Sequence, residues 1–107
     1  MTQSLDLKPD YIVTVKKILQ RYLPSNSTAW IFGSRASGKA KRYSDIDIAI
    51  DAGQPLSTDV ILNLASDFDE SDLPYKVDLV DWFAIDDSFR ERIKQNRVLI
   101  WKGGSLT

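Results

Sequence analysis

Cysteine and histidine are both missing from this chain. Without cysteine there are no disulfides, no thiolate metal sites and no cysteine nucleophile, a composition that fits a reducing cytoplasm. Without histidine the commonest general base and the commonest transition-metal ligand are gone. Acid–base work and metal binding fall to carboxylates, whose hard oxygens suit Mg2+, Mn2+ or Ca2+ rather than zinc or copper. A charge of one sign is lacking too: 14 Lys and Arg against 15 Asp and Glu leave a formal charge of −1. No whole-chain footprint for extended DNA or RNA exists, and direct nucleic-acid binding is not expected. No apolar run approaches membrane-spanning length, and Met1 to Asp10 lack the positive, apolar, small-residue order of a leader. The expectation is a soluble, untargeted cytoplasmic protein. Its 107 residues carry no repeat or internal linker. They make one domain spanning 1–107, with a motif region at 30–81, an unanchored tail at 103–107 and no room for a second, substrate-holding domain.

What is present reads as alternating helices and strands. From Asp6 to Leu23 apolar residues recur at Ile12, Val15, Ile18, Leu19, Tyr22 and Leu23, an amphipathic helical stripe with Pro9 suited to its first turn. Pro24-Ser25-Asn26-Ser27 breaks it, and Thr28 to Phe32 reads as a buried strand ending at Gly33. Ser34 to Gly38 has the composition of a short helix, followed by an exposed basic loop with Lys39, Lys41 and Arg42. Asp45 to Asp51 alternates, with Ile46, Ile48 and Ile50 on one face and Asp45, Asp47, Ala49 and Asp51 on the other. Ser57 or Thr58 caps a helix carrying Val60, Ile61, Leu64, Ala65 and Phe68. Tyr75 to Trp82 is a third strand, Ser88 to Gln95 a short helix using Phe89 and Ile93, and Val98 to Trp101 a last strand. The expected fold is a small α/β (α+β) domain, helices packed on a short mixed sheet.

One stretch predicts chemistry: Gly33-Ser34, ten residues, then Asp45-Ile46-Asp47. Nucleotidyl transfer needs a triphosphate's charge neutralised and its attacked phosphorus held in line, which two divalent ions about 3.5–4 Å apart accomplish. Asp45 and Asp47, two apart on a strand, lie on one face with Cα atoms roughly 6.6 Å apart and can share such a cation pair. Asp78, on the later strand, opposes Val77 and Leu79 and supplies a third carboxylate or the base for an attacking hydroxyl. Gly33 lets backbone approach a phosphate without a Cβ, Ser34 offers an N–H and a hydroxyl, and Arg35 is a further nucleotide contact. Each part also has an ordinary reading. Asp-x-Asp on an alternating strand is a solvated face, as Asp51 and Asp81 are taken to be; Gly-Ser is a turn, and the basic residues make a soluble loop. Trp30, Trp82 and Trp101 are packing residues rather than nucleotide stackers.

Phe32-Gly33-Ser34-Arg35-Ala36-Ser37-Gly38 through Ser44-Asp45-Ile46-Asp47-Ile48-Ala49-Ile50, with Asp78 beyond, resembles the polymerase-β-like nucleotidyltransferases, and within them the minimal nucleotidyltransferases of prokaryotes. The likeness runs from about Trp30 to Asp81; Ser37 departs from it, standing where related sequences often carry Arg or Lys. It implies a two-Mg2+ site with Asp45, Asp47 and Asp78 as ligands and ATP held at Gly33 and Ser34. Many such proteins are antitoxins that move AMP from ATP onto a tyrosine of a HEPN-domain ribonuclease toxin. With no histidine, the chain lacks the toxin's own Arg-x₄₋₆-His motif, so the resemblance makes it the antitoxin half. Two other readings stand beside this one. The first is a steric antitoxin anchored by Tyr43, Tyr75 or Trp101. The second is nucleotidyl transfer to a small molecule such as an aminoglycoside.

Overall fold

The computed structural model describes residues 5, 7–37 and 44–103. Lys39, Lys41, Arg42, Tyr43 and the tail beyond Gly103 lie outside the described residues. Helix α1 is Pro9–Tyr22. It begins at Pro9 rather than Asp6 because proline pre-sets a helical φ without needing a hydrogen-bond partner, while it holds the preceding Lys8 extended at ψ 145°. Val15, Ile18 and Leu19 form its buried stripe. Helix α3, Thr58–Glu70, is capped by the Ser57 hydroxyl, which accepts from the Val60 N–H at 3.2 Å. It buries Leu64 and Phe68, whereas Ala65 is exposed.

Strands β1 (Thr28–Phe32), β2 (Ile46–Asp51), β3 (Val77–Asp81) and β4 (Val98–Lys102) form one sheet in the order β3-β2-β1-β4. β2 and β3 run parallel, and the other two pairings are antiparallel. The sheet is mixed, as the sequence predicts. On one face Ala29, Ile31, Ile46, Ile48 and Ile50 meet the stripes of α1 and α3, and all five are fully buried. Each Ile of that face contributes on the order of 2 kcal/mol of burial free energy, which makes this layer the main source of stability.

The opposite face carries Trp30, Phe32, Asp47, Ala49 and Asp78, because strand residues alternate and register partners project together. It is partly covered by a 3₁₀ turn at Trp82–Ala84 and by α4, Asp87–Asn96. Trp82 packs on Trp30 with ring centroids 5.4 Å apart, and Phe89 on Phe32 at 6.0 Å, consistent with packing roles for those tryptophans. The 3₁₀ turn is a feature the sequence did not reveal. Asp81 builds it: one carboxylate oxygen accepts from the Phe83 N–H and the other from the Leu56 N–H, each at 3.0 Å. Asp51 similarly accepts from Gly53 N–H at 2.9 Å. These two aspartates thus hold backbone at the far end of the sheet, where a wholly solvated role was expected. Gly103 donates its N–H to the Ser27 carbonyl at 2.9 Å, so ordered chain continues through that residue.

Candidate active site

Three short segments meet at one end of the sheet. β1 ends at Gly33, whose φ of +77° suits a residue without a side chain. The Gly33 carbonyl accepts from the Ala36 N–H at 3.1 Å, turning the chain into the single-turn helix α2, Ser34–Ser37. A helix directly after Gly33 is what the sequence predicts. Across the ladder, Phe32 pairs with Asp47, so the turn at Gly33 borders the start of β2. A Cβ built on Gly33 would stand 2.5 Å from an Asp47 carboxylate oxygen, well inside van der Waals contact. The glycine thus makes space for the first carboxylate of the site.

Asp47 and Asp78 are register partners on the parallel strands β2 and β3 and project to the same face. Asp45 lies just before β2, exposed, rather than within it. Asp47 is half-buried and its carboxyl is pushed up to about 6 from an ordinary 3.8, first by burial, then by the charges of Asp78 and Asp45. Lys76 Nζ approaches Asp78 at 3.8 Å, both side chains well exposed, so the pair screens Asp78 only weakly. The carboxylates converge, but among the described residues no group of three is gathered tightly enough to hold a metal ion. Their chemistry fits a hard divalent cation nonetheless: oxygen-only donors, with mutual repulsion at Asp47 that a bound cation would relieve.

That repulsion has a measurable consequence. Because the folded-state pKa of Asp47 lies above its ordinary value, the folded chain retains a proton between about pH 4 and about pH 6 that the unfolded chain releases. Its contribution to stability therefore declines as pH rises through that window and is level above it. In chelator-treated buffer, the melting temperature of Asp47→Asn relative to the parent is expected to climb from about pH 4 to about pH 6 and then plateau. A difference constant across the window would refute the coupling.

Arg35 sits differently from its grouping with the nucleotide contacts. It is only 4% exposed, and its guanidinium donates to the Ser44 carbonyl from Nε at 3.1 Å and Nη2 at 2.9 Å while lying 3.9 Å over the Tyr75 ring. These contacts tie α2 to the residue before Asp45 and to the approach to β3, the three pieces that carry the site. Two charge-assisted bonds and a cation–π contact thus restrain this turn against its neighbours. Nothing in the sequence pattern signalled this, because the partners are a backbone carbonyl and a ring 40 residues downstream. A second feature missed by sequence reasoning is the wall made by α4. Phe89, Arg92, Ile93 and Asn96 face Phe32 and Gly33 across a cleft of about 250 Å³.

Residues 14–103 match the family model "Polymerase beta, Nucleotidyltransferase". The chain is 47% identical over 97 residues to a probable protein adenylyltransferase, MntA, of Haemophilus influenzae, covering 91% of this chain and 84% of that protein. In structure it is similar to a crystallised toxin–antitoxin with AMP-PNP, at a TM-score of 0.73 and 28% identity, over 88% of this chain and 75% of the matched one. It is also similar to a chain in the complex of tri-AMPylated Shewanella oneidensis HEPN toxin with MNT antitoxin. There the TM-score is 0.65 and the identity 26%, over 88% and 71% of the two chains.

Proposed function

This chain belongs to the polymerase beta nucleotidyltransferase family, and on that premise we propose that it is a protein adenylyltransferase antitoxin, moving AMP from ATP onto a tyrosine of a HEPN-type toxin. The carrying observation is the Asp47–Asp78 pair, in register on one sheet face beside a glycine whose missing side chain makes room for Asp47. The partner assignment draws on the similar toxin–antitoxin complexes, one with AMP-PNP and one with an AMPylated HEPN toxin.

Asp45, Asp47 and Asp78 would hold Mg2+, which when bound neutralises the triphosphate and polarises the reacting phosphate. The remaining work belongs to the chain itself. Gly33 allows close backbone approach by the phosphates, and Ser34 offers donors at the same turn. The tyrosine oxygen bonds to the α-phosphorus as the α–β bridging bond breaks, and pyrophosphate leaves. The hydroxyl proton passes to a carboxylate within reach. Asp78 suits that task because β3 is an edge strand, which a protein acceptor can approach from the open side. Arg35, through Ser44 and Tyr75, keeps these groups in place.

The test is to mix the chain with a HEPN-type toxin, with and without ATP and Mg2+, and read intact mass and ribonuclease activity. The expected result is a mass gain of one or more AMP groups on the partner, located on tyrosine, with loss of ribonuclease activity that depends on ATP. Full neutralisation without ATP and without a mass gain would replace this reading with steric inhibition.

A further inference from the structure

Outside α1 the described residues include four arginines, and three of them already have work within the protein. Arg35 holds Ser44 and Tyr75. Arg90 donates to the Asp87 carboxylate at 2.7 Å and to the Trp82 carbonyl at 2.9 Å. Arg97 lies over Trp30 at 4.1 Å and Trp82 at 5.5 Å. Arg92 is different. Its guanidinium rests 5.2 Å from the Phe89 ring centroid, it makes no ion pair among the described residues, and it lines the cleft whose far wall is Gly33. Phe32, which also lines that cleft, is the register partner of Asp47, so the cleft opens directly beside the first carboxylate.

We propose that Arg92 binds the terminal phosphates of the nucleotide donor in the cleft between α4 and Gly33. The inference rests on the nucleotidyl-transfer reading and adds to it the residue that receives the leaving group. If the reacting phosphorus lies at the carboxylates, the β- and γ-phosphates are the next part of the ligand and must lead away past the Gly33 turn. A guanidinium is a fork of donors matched to phosphate oxygens, and Arg92 brings it to the rim of the cleft lined by Phe32, Phe89 and Ile93. A nucleobase fits the same cleft less well. Phe32 and Phe89 pack edge to face on one another, with ring planes 78° apart, and so do not form a flat-sided slot between them. Arg92 also favours transfer itself, because the departing pyrophosphate gains charge as the bridging bond breaks and a cation at that end stabilises it.

The test measures ATP and AMP binding with Mg2+ by calorimetry for the parent chain, Arg92→Gln and Arg92→Lys. Arg92 is exposed on a helix, and glutamine has similar helix propensity, so melting temperatures are expected to be unchanged. Arg92→Gln is expected to weaken ATP binding roughly 10- to 100-fold, the loss of one or two hydrogen bonds to a charged group, and to leave AMP binding unchanged. Arg92→Lys should fall between the two. Unaltered ATP affinity in Arg92→Gln would overturn the proposal, as would equal losses for ATP and AMP, which would place the residue at the nucleoside end. If the parent chain itself binds neither nucleotide, the nucleotidyl-transfer reading fails and this inference fails with it.

Discussion

Replacing Asp45 and Asp47 together by asparagine is expected to abolish AMP transfer while leaving the protein folded and, without metal, more stable than the parent. The two effects share one cause. Asp47 is half-buried beside Asp78 and Asp45, and its carboxyl is pushed up to about 6 because the site disfavours its negative charge. Asparagine has nearly the same shape, so it fits the space that Gly33 leaves, but it brings no charge to repel Asp78. Stability at neutral pH therefore rises. Function depends on that same charge, since amide oxygens are weak ligands for Mg2+ and neutralise nothing on a triphosphate. Loss of two such ligands is expected to lower the transfer rate by roughly 10³-fold or more, several kcal/mol of transition-state stabilisation. A raised melting temperature with transfer absent, read by thermal denaturation and by intact mass of the acceptor, is the predicted signature. Transfer at the parent rate would remove Asp45 and Asp47 from the chemistry.

The pattern by which these residues were legible follows from which forces are local. Hydrophobic period is written along the chain. The alternation of Ile46, Ile48 and Ile50 therefore predicted both the strand and the face that carries Asp47, and the stripe of Val15, Ile18 and Leu19 predicted α1. Strand partnership is not written locally. That Asp78 stands opposite Asp47, rather than one residue out of register on the other face, is decided by how β2 and β3 pack against α1 and α3. The same limit hid the work of arginines. Arg35 reads in sequence as a nucleotide contact and Arg90 and Arg97 carry no signal at all, yet each binds a carbonyl, a carboxylate or an aromatic face brought to it only by the tertiary fold. Asp81 and Asp51 illustrate the converse. Short polar side chains at strand ends readily accept backbone N–H groups two residues on, so their capping role was available from position alone.

Gly33→Ala is expected to damage both fold and activity, by more than the addition of one methyl group suggests. At φ +77° an alanine sits in the left-handed region, at a cost of about 1–2 kcal/mol. The methyl's ideal position is 2.5 Å from an Asp47 carboxylate oxygen, so one of the two must shift. Either the turn retreats or the Asp47 side chain swings away, and both outcomes separate the carboxylate from Asp78 and from the turn that is to hold phosphate. A displacement near 1 Å at reacting groups costs on the order of 100-fold in rate, so transfer should fall at least that far. Thermal denaturation should show a drop of roughly 4–12 °C for a domain of this size. Comparison with Asp47→Asn separates the strain from the chemistry. The asparagine variant loses activity while gaining stability, whereas the alanine variant loses both, and combining Gly33→Ala with Asp47→Ala, which removes the clashing carboxylate, should recover part of the lost stability and none of the activity. Equal destabilisation by Gly33→Ala whether position 47 is aspartate or alanine would show that backbone strain alone makes glycine necessary at this turn, and that its closeness to Asp47 has no energetic weight.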